Sequence, residues 1–167
     1  PPSDTSLPAQ YARAIAAYRN GNSETGLRIL DGLLKAQPKN PYFWELQGQI
    51  NLENGRAGQA VPGFRKAVSL APKSGMLKVL LGQALVETGD PSVTSEAIKN
   101  LTVGLQVDPN MAIGYRSLAR AYAARGDIAL ADLATAQGEF AGGNYAAARQ
   151  HAARAQKGLK PGSPGWI

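Results

Sequence analysis

Apolar residues return every three or four positions along most of the chain, and each such stretch stops at a glycine or a proline. That period predicts amphipathic α-helices, each with one buried stripe and one wet face. Residues 41–74 show it best. Trp44 and Gly48 share a face of one helix, and Ala60, Phe64 and Ala67 face them from a second. Small residues set against large ones let two helices interlock, so Trp44 is expected as a packed core contact. The same order recurs as Leu81, Gly82 and Leu85 before Ala97, Leu101 and Gly104. It recurs again as Tyr115, Leu118, Ala119 and Tyr122 before Ala131. A sparser version, Tyr11, Ala14 and Tyr18 before Leu30 and Leu33, opens the chain. Gln47 and Asn51 stand where large apolar residues are usual. A slightly rotated helix that packs through Leu46, Ile50 and Leu52 would accommodate them.

The punctuation is periodic. Gly21, Gly55, Gly89 and Gly126 are spaced by 34, 34 and 37 residues, and Pro38, Pro72 and Pro109 are spaced by 34 and 37. A helix that ends in a tight turn asks for positive φ, which glycine adopts at no steric cost. Proline cannot extend a helix, so it closes the second arm of each hairpin. A 34-residue beat carried by two residue types is the tetratricopeptide signature. The fold class expected is therefore all-α: a tetratricopeptide-like α-solenoid of about nine antiparallel helices forming one domain over 1–167. Its repeats run approximately 7–40, 41–74, 75–111 and 112–141. A longer turn, Asp90 to Ser95, accounts for the interval of 37. Gly142-Gly143-Asn144 follows Gly126 by only 17 residues, so a helix over 128–141 pairs with both neighbours. A capping helix over 145–158 ends the array, and Lys160 to Gly165 reads as an irregular tail.

In such arrays the first helix of each hairpin lines a concave groove, and positions not spent on packing point into it. The groove is expected to carry Tyr11, Ile15, Tyr18 and Arg19, then Tyr42, Glu45, Gln49 and Glu53. Met76, Val79, Gln83 and Glu87 follow, with Ile113, Arg116 and Arg120 last. It would grade from acidic in the middle to basic at Arg116 and Arg120. Aromatic residues, Arg and Met are the types that anchor protein interfaces, so a protein or peptide is the expected partner. Gln49, Gln83 and Arg120 stand where a carboxylate-clamping Asn would be, which argues against an adaptor for C-terminal tails.

Composition removes most chemistry. There is no cysteine, hence no disulfide, thiolate zinc site or thiol nucleophile. The single histidine, His151, has no carboxylate within one helical turn and is expected as a solvated helix residue, so no metal site and no cofactor are expected in this chain. No phosphate-binding glycine loop occurs. Glu45, Glu53 and Glu87 read as exposed helix-face charges rather than acid/base groups. Asn100-Leu101-Thr102 is a glycosylation sequon, but it falls inside a helix. The net charge of +6 is scattered through Lys35, Lys39, Arg65, Lys66, Lys73, Lys78, Lys99 and Lys160 without a basic run, so no nucleic-acid partner is expected. The richest apolar stretch, 76–86, is interrupted by Lys78 and Gln83, and no membrane span is expected. The opening Pro1-Pro2-Ser3-Asp4 lacks an initiator Met and a signal peptide, as in an excised piece of a longer protein.

Three phrases carry a resemblance. Asn40-Pro41-Tyr42-Phe43-Trp44-Glu45-Leu46-Gln47-Gly48-Gln49, the run Ala119 to Tyr122 with Gly126 to Ala134, and Pro161-Gly162-Ser163-Pro164-Gly165-Trp166-Ile167 together resemble the C-terminal tetratricopeptide region of BepA-type periplasmic zinc metalloproteases. The resemblance implies a non-catalytic region behind an HExxH protease domain, with zinc held only in that missing domain. It implies a periplasmic location and a role in outer-membrane protein assembly and quality control. Partners would be assembly components, misfolded clients or its own protease domain. This chain has no HExxH, so no zinc ligand or general base transfers to any of its residues. The alternative is a stand-alone tetratricopeptide adaptor, and residues upstream of Pro1 would discriminate the two.

Overall fold

The computed structural model describes residues 4–166; Pro1, Pro2, Ser3 and Ile167 lie outside the described residues. Among the described residues the helices are α1 (Leu7–Arg19), α2 (Ser23–Ala36), α3 (Pro41–Glu53), α4 (Ala57–Leu70), α5 (Gly75–Glu87), α6 (Thr94–Val107), α7 (Ala112–Ala124), α8 (Ile128–Ala141) and α9 (Tyr145–Gly158), and none is a strand. The extra residues after Gly89 form a short 3-10 turn, Pro91–Val93, and α6 begins directly after it.

Consecutive helices form antiparallel hairpins for local reasons. Gly21, Gly55, Gly89 and Gly126 hold φ between 69° and 82°, the left-handed conformation that ends each first helix. Asn22, Asn40, Ser74 and Asn144 then cap α2, α3, α5 and α9 by accepting backbone N–H bonds. Pro41 occupies the first position of α3, where its missing donor costs nothing. Pro62 lies inside α4 but on its exposed side.

The chain divides into two compact units, Pro1–Lys73 and Ser74–Ile167. In the first, Ala14, Leu30, Leu33, Leu34, Phe43, Leu46 and Ile50 form a buried core, flanked by Tyr11, Tyr18 and Trp44. Leu46, Ile50 and Leu52 are buried as a rotated α3 requires. Asn51 is buried beside them, its amide donating to the Gln47 carbonyl at 3.0 Å. Trp44 differs from expectation. It is only half-buried, its indole N–H donating to the Pro38 carbonyl at 2.8 Å, and the fully buried aromatic is Phe64.

A register repeats across both units. The eighth residue of α3, Gly48, meets the eighth of α4, Phe64: a Cβ built on Gly48 would lie 2.9 Å from the ring. The eighth residues of α5 and α6, Gly82 and Leu101, repeat it, with such a Cβ running into Leu101 Cγ. In the second unit Val79, Leu101, Leu105, Leu118 and Ala134 form the core. The segment after α9 is not loose. Turns from Lys160 to Trp166 fold back, and Gly165 lies against Leu133 and Leu130 of α8.

Candidate protein-binding groove

In the first unit α1 and α3 lie side by side and bring Tyr11, Ile15, Tyr18, Arg19, Leu46, Gln49 and Glu53 around one hollow of about 390 Å³. Six of the residues expected in the groove, Tyr11, Ile15, Tyr18, Arg19, Gln49 and Glu53, therefore stand together. Their roles differ. Tyr11 leans on Phe43, ring centroids 5.3 Å apart, and forms an apolar wall. Glu53 is the polar floor: the Tyr18 hydroxyl donates to its Oε2, and Gln49 Nε2 donates to its Oε1 at 2.9 Å. With its amide N–H so engaged, Gln49 keeps a carbonyl oxygen able to accept from an incoming chain. Tyr42, 62% exposed, and Glu45 stand on the same helix.

Burial sets the electrostatics here. Desolvation holds the Glu45 carboxyl above its ordinary 4.5. Burial also pushes the Tyr11 phenol up, and the nearby Glu45 and Tyr42 charges add to that effect. A half-buried carboxylate beside two tyrosines is a favourable acceptor for hydrogen bonds or cations that a partner supplies.

The second unit departs from expectation at Val79. Its position on α5 matches that of Glu45 on α3, yet Val79 is 0% exposed. The cause is two glycines. A Cβ on Gly104 would lie 2.8 Å from Val79 Cγ2, and one on Gly114 3.0 Å from Cγ1, so α6 and α7 close over the side chain. Val79 is core and not a groove residue. Gln83 and Glu87 remain on α5, joined by a 2.9 Å hydrogen bond. Arg116 and Arg120 are exposed on α7 but border separate hollows. Arg116 sits beside Glu139 of α8, and Arg120 beside Pro91 and Thr94.

His151 also differs from the solvated residue expected. It is half-buried, its Nδ1 3.2 Å from Asp132 Oδ1 on α8, and Arg154 Nη2 meets the same oxygen at 2.7 Å. Partial burial raises the Asp132 pKa, but the hydrogen bonds and charges of Arg154 and His151 outweigh it and leave the carboxyl below its ordinary 3.8. The carboxylate comes from the neighbouring helix, so spacing along α9 could not reveal it. Among the described residues no three His, Cys, Asp or Glu side chains are grouped to hold a metal ion.

The model of the cytochrome c-type biogenesis protein H TPR domain family matches residues 24–137. The chain belongs to that family. This TPR domain is thus a non-catalytic, protein-interacting fold. The β-barrel assembly-enhancing protease of Escherichia coli K12 is 28% identical over 116 residues, covering 70% of this chain and 23% of that protein. Its Yersinia pestis counterpart is 27% identical over 120 residues, covering 72% and 24%. Cellulose synthase operon protein C of Escherichia coli K12 is 30% identical over 111 residues, covering 66% and 9%. The chain spans about a quarter of the length of the assembly-enhancing proteases it matches. Among solved structures, YrrB, described as a TPR protein with an unusual peptide-binding site, matches with a TM-score of 0.74 at 16% identity, covering 87% of this chain and 73% of that one. MamA matches with a TM-score of 0.65 at 18% identity, covering 87% and 93%. At such identities the likeness concerns the fold, an all-α tetratricopeptide array.

Proposed function

We propose that this TPR domain holds an extended polypeptide against α1 and α3, and that it serves as the non-catalytic region of a periplasmic protease acting in outer-membrane protein assembly. The observation that carries the binding reading is the hollow between α1 and α3. Tyr11 and Ile15 offer it an apolar wall, while Gln49 and the Glu53–Tyr18 pair offer hydrogen bonds to a backbone. The likeness to the assembly-enhancing proteases supports the second part, in which zinc and the peptidase reaction belong to a separate domain. The family match supports an alternative equally well: a stand-alone TPR adaptor with no protease attached.

A photo-crosslinking amino acid placed at Arg19 or Tyr42 in the full-length protein in its own cell separates these readings. The proposal expects crosslinks to outer-membrane assembly components or to unfolded outer-membrane proteins, and none from a control at Gln59 on α4. Crosslinks confined to cytoplasmic proteins would overturn the assembly role. Equal crosslinking from Gln59 would overturn the groove itself.

A further inference from the structure

A second site lies away from that groove, between α8 and α9. Leu133, Ala136 and Phe140 on α8 and Tyr145, Ala148 and Ala152 on α9 repeat at three- and four-residue intervals and line an open cleft of about 720 Å³. Phe140 and Tyr145 are 64% and 57% exposed and meet edge to face at 5.3 Å in its lining. Ala136 and Ala148 are buried at its base, and Ala152 is exposed. Exposed apolar surface of this kind marks a binding face.

The charge around the cleft says what it takes. Arg149 is the charged residue of its lining, is exposed, and forms no hydrogen bond or ion pair among the described residues. From Asn144 to the end of the chain there is no Asp or Glu, while Arg149, Arg154, Lys157 and Lys160 are basic. The positive end of the α9 dipole also opens at Tyr145. We propose that this cleft docks an amphipathic helix of a partner protein, with its apolar stripe against Phe140, Tyr145 and the alanines and an acidic flank on Arg149. Arg154 is paired with Asp132, but the exposed Arg149 and Lys157 of α9 would oppose their own copies, which disfavours a second copy of the same surface as the occupant.

A labelled synthetic helix with Leu at i, i+3, i+4 and i+7 and Glu on its flanks is titrated with the protein by fluorescence anisotropy, beside a twin carrying Lys for Glu. The Glu peptide is expected to bind and the Lys peptide not to. Arg149→Glu should weaken the Glu peptide about tenfold and recover the Lys peptide. Phe140→Ser with Tyr145→Ser should abolish binding while the circular-dichroism melt stays in place, since both side chains are exposed. Gln59→Ala, on the exposed side of α4, should change nothing. Equal binding of the two peptides, or full affinity in the serine variant, would overturn the proposal. So would Phe140-dependent binding to phosphatidylglycerol vesicles without peptide binding, or a Phe140-dependent dimer that blocks the cleft.

Discussion

Burial decides what a single side chain is worth, and the two large aromatics of the α3–α4 hairpin make the contrast plain. Phe64 is 0% exposed and fills the notch left by Gly48, so Phe64→Ala should cost about 3–5 kcal/mol. Trp44 keeps part of its ring in water and gives one hydrogen bond to Pro38, so Trp44→Ala should cost about 1–2 kcal/mol. Urea melts of the two variants test the ranking, and a larger loss at Trp44 would contradict it. Glu45 gives a pH-dependent counterpart. Its raised pKa means that the folded chain binds its proton more tightly than the unfolded chain does. Stability therefore falls as pH rises through the window between the ordinary 4.5 and the raised folded value. Glu45→Gln removes that loss, so the variant should lose less stability than the parent as pH rises from the ordinary 4.5. Parallel stability–pH curves for the two proteins would contradict the burial of Glu45.

At the scale of the element, glycines do two opposite things. A Cβ on Gly104 would lie 2.7 Å from the Gly75 carbonyl oxygen, which is backbone and cannot rotate away. Gly104→Ala must push α5 and α6 apart, and about 1–3 kcal/mol of stability should be lost. Gly32, inside α2, has nothing within 4 Å of such a Cβ. Gly32→Ala should therefore gain about 0.5–1 kcal/mol from helix propensity alone. Thermal melts that moved the same way for both would undo the close-approach explanation. These glycines also mark how far the sequence could be read. The turn glycines and closing prolines were legible because backbone conformation is a local property with a fixed period. Gly104 was legible as a small packing position, but what it admits was not, because Gly75 and Val79 lie on another helix. Val79 is the clearest case: its position suggested the groove, and Gly104 and Gly114, distant in sequence, bury it.

For the molecule as a whole, the order and limits of the helices were legible, and so was the clustering of Tyr11, Tyr18, Gln49 and Glu53, since one helical register positions them all. The Asp132–Arg154–His151 contact and the aromatic cleft were not, because both arise only where α8 meets α9. The two units have separate cores, and each carries its own candidate surface: a hydrogen-bonding groove on α1 and α3, and an apolar, basic cleft on α8 and α9. The central claim is that the first helices of the opening hairpins hold another polypeptide. Hydrogen–deuterium exchange, with and without a peptide ligand selected from a random library, reads this directly. Added protection should concentrate in Leu7–Arg19 and Pro41–Glu53 and should be lost with Tyr18→Ala. Protection confined to Ser23–Ala36 and Ala57–Leu70, from a ligand indifferent to Tyr18, would contradict it.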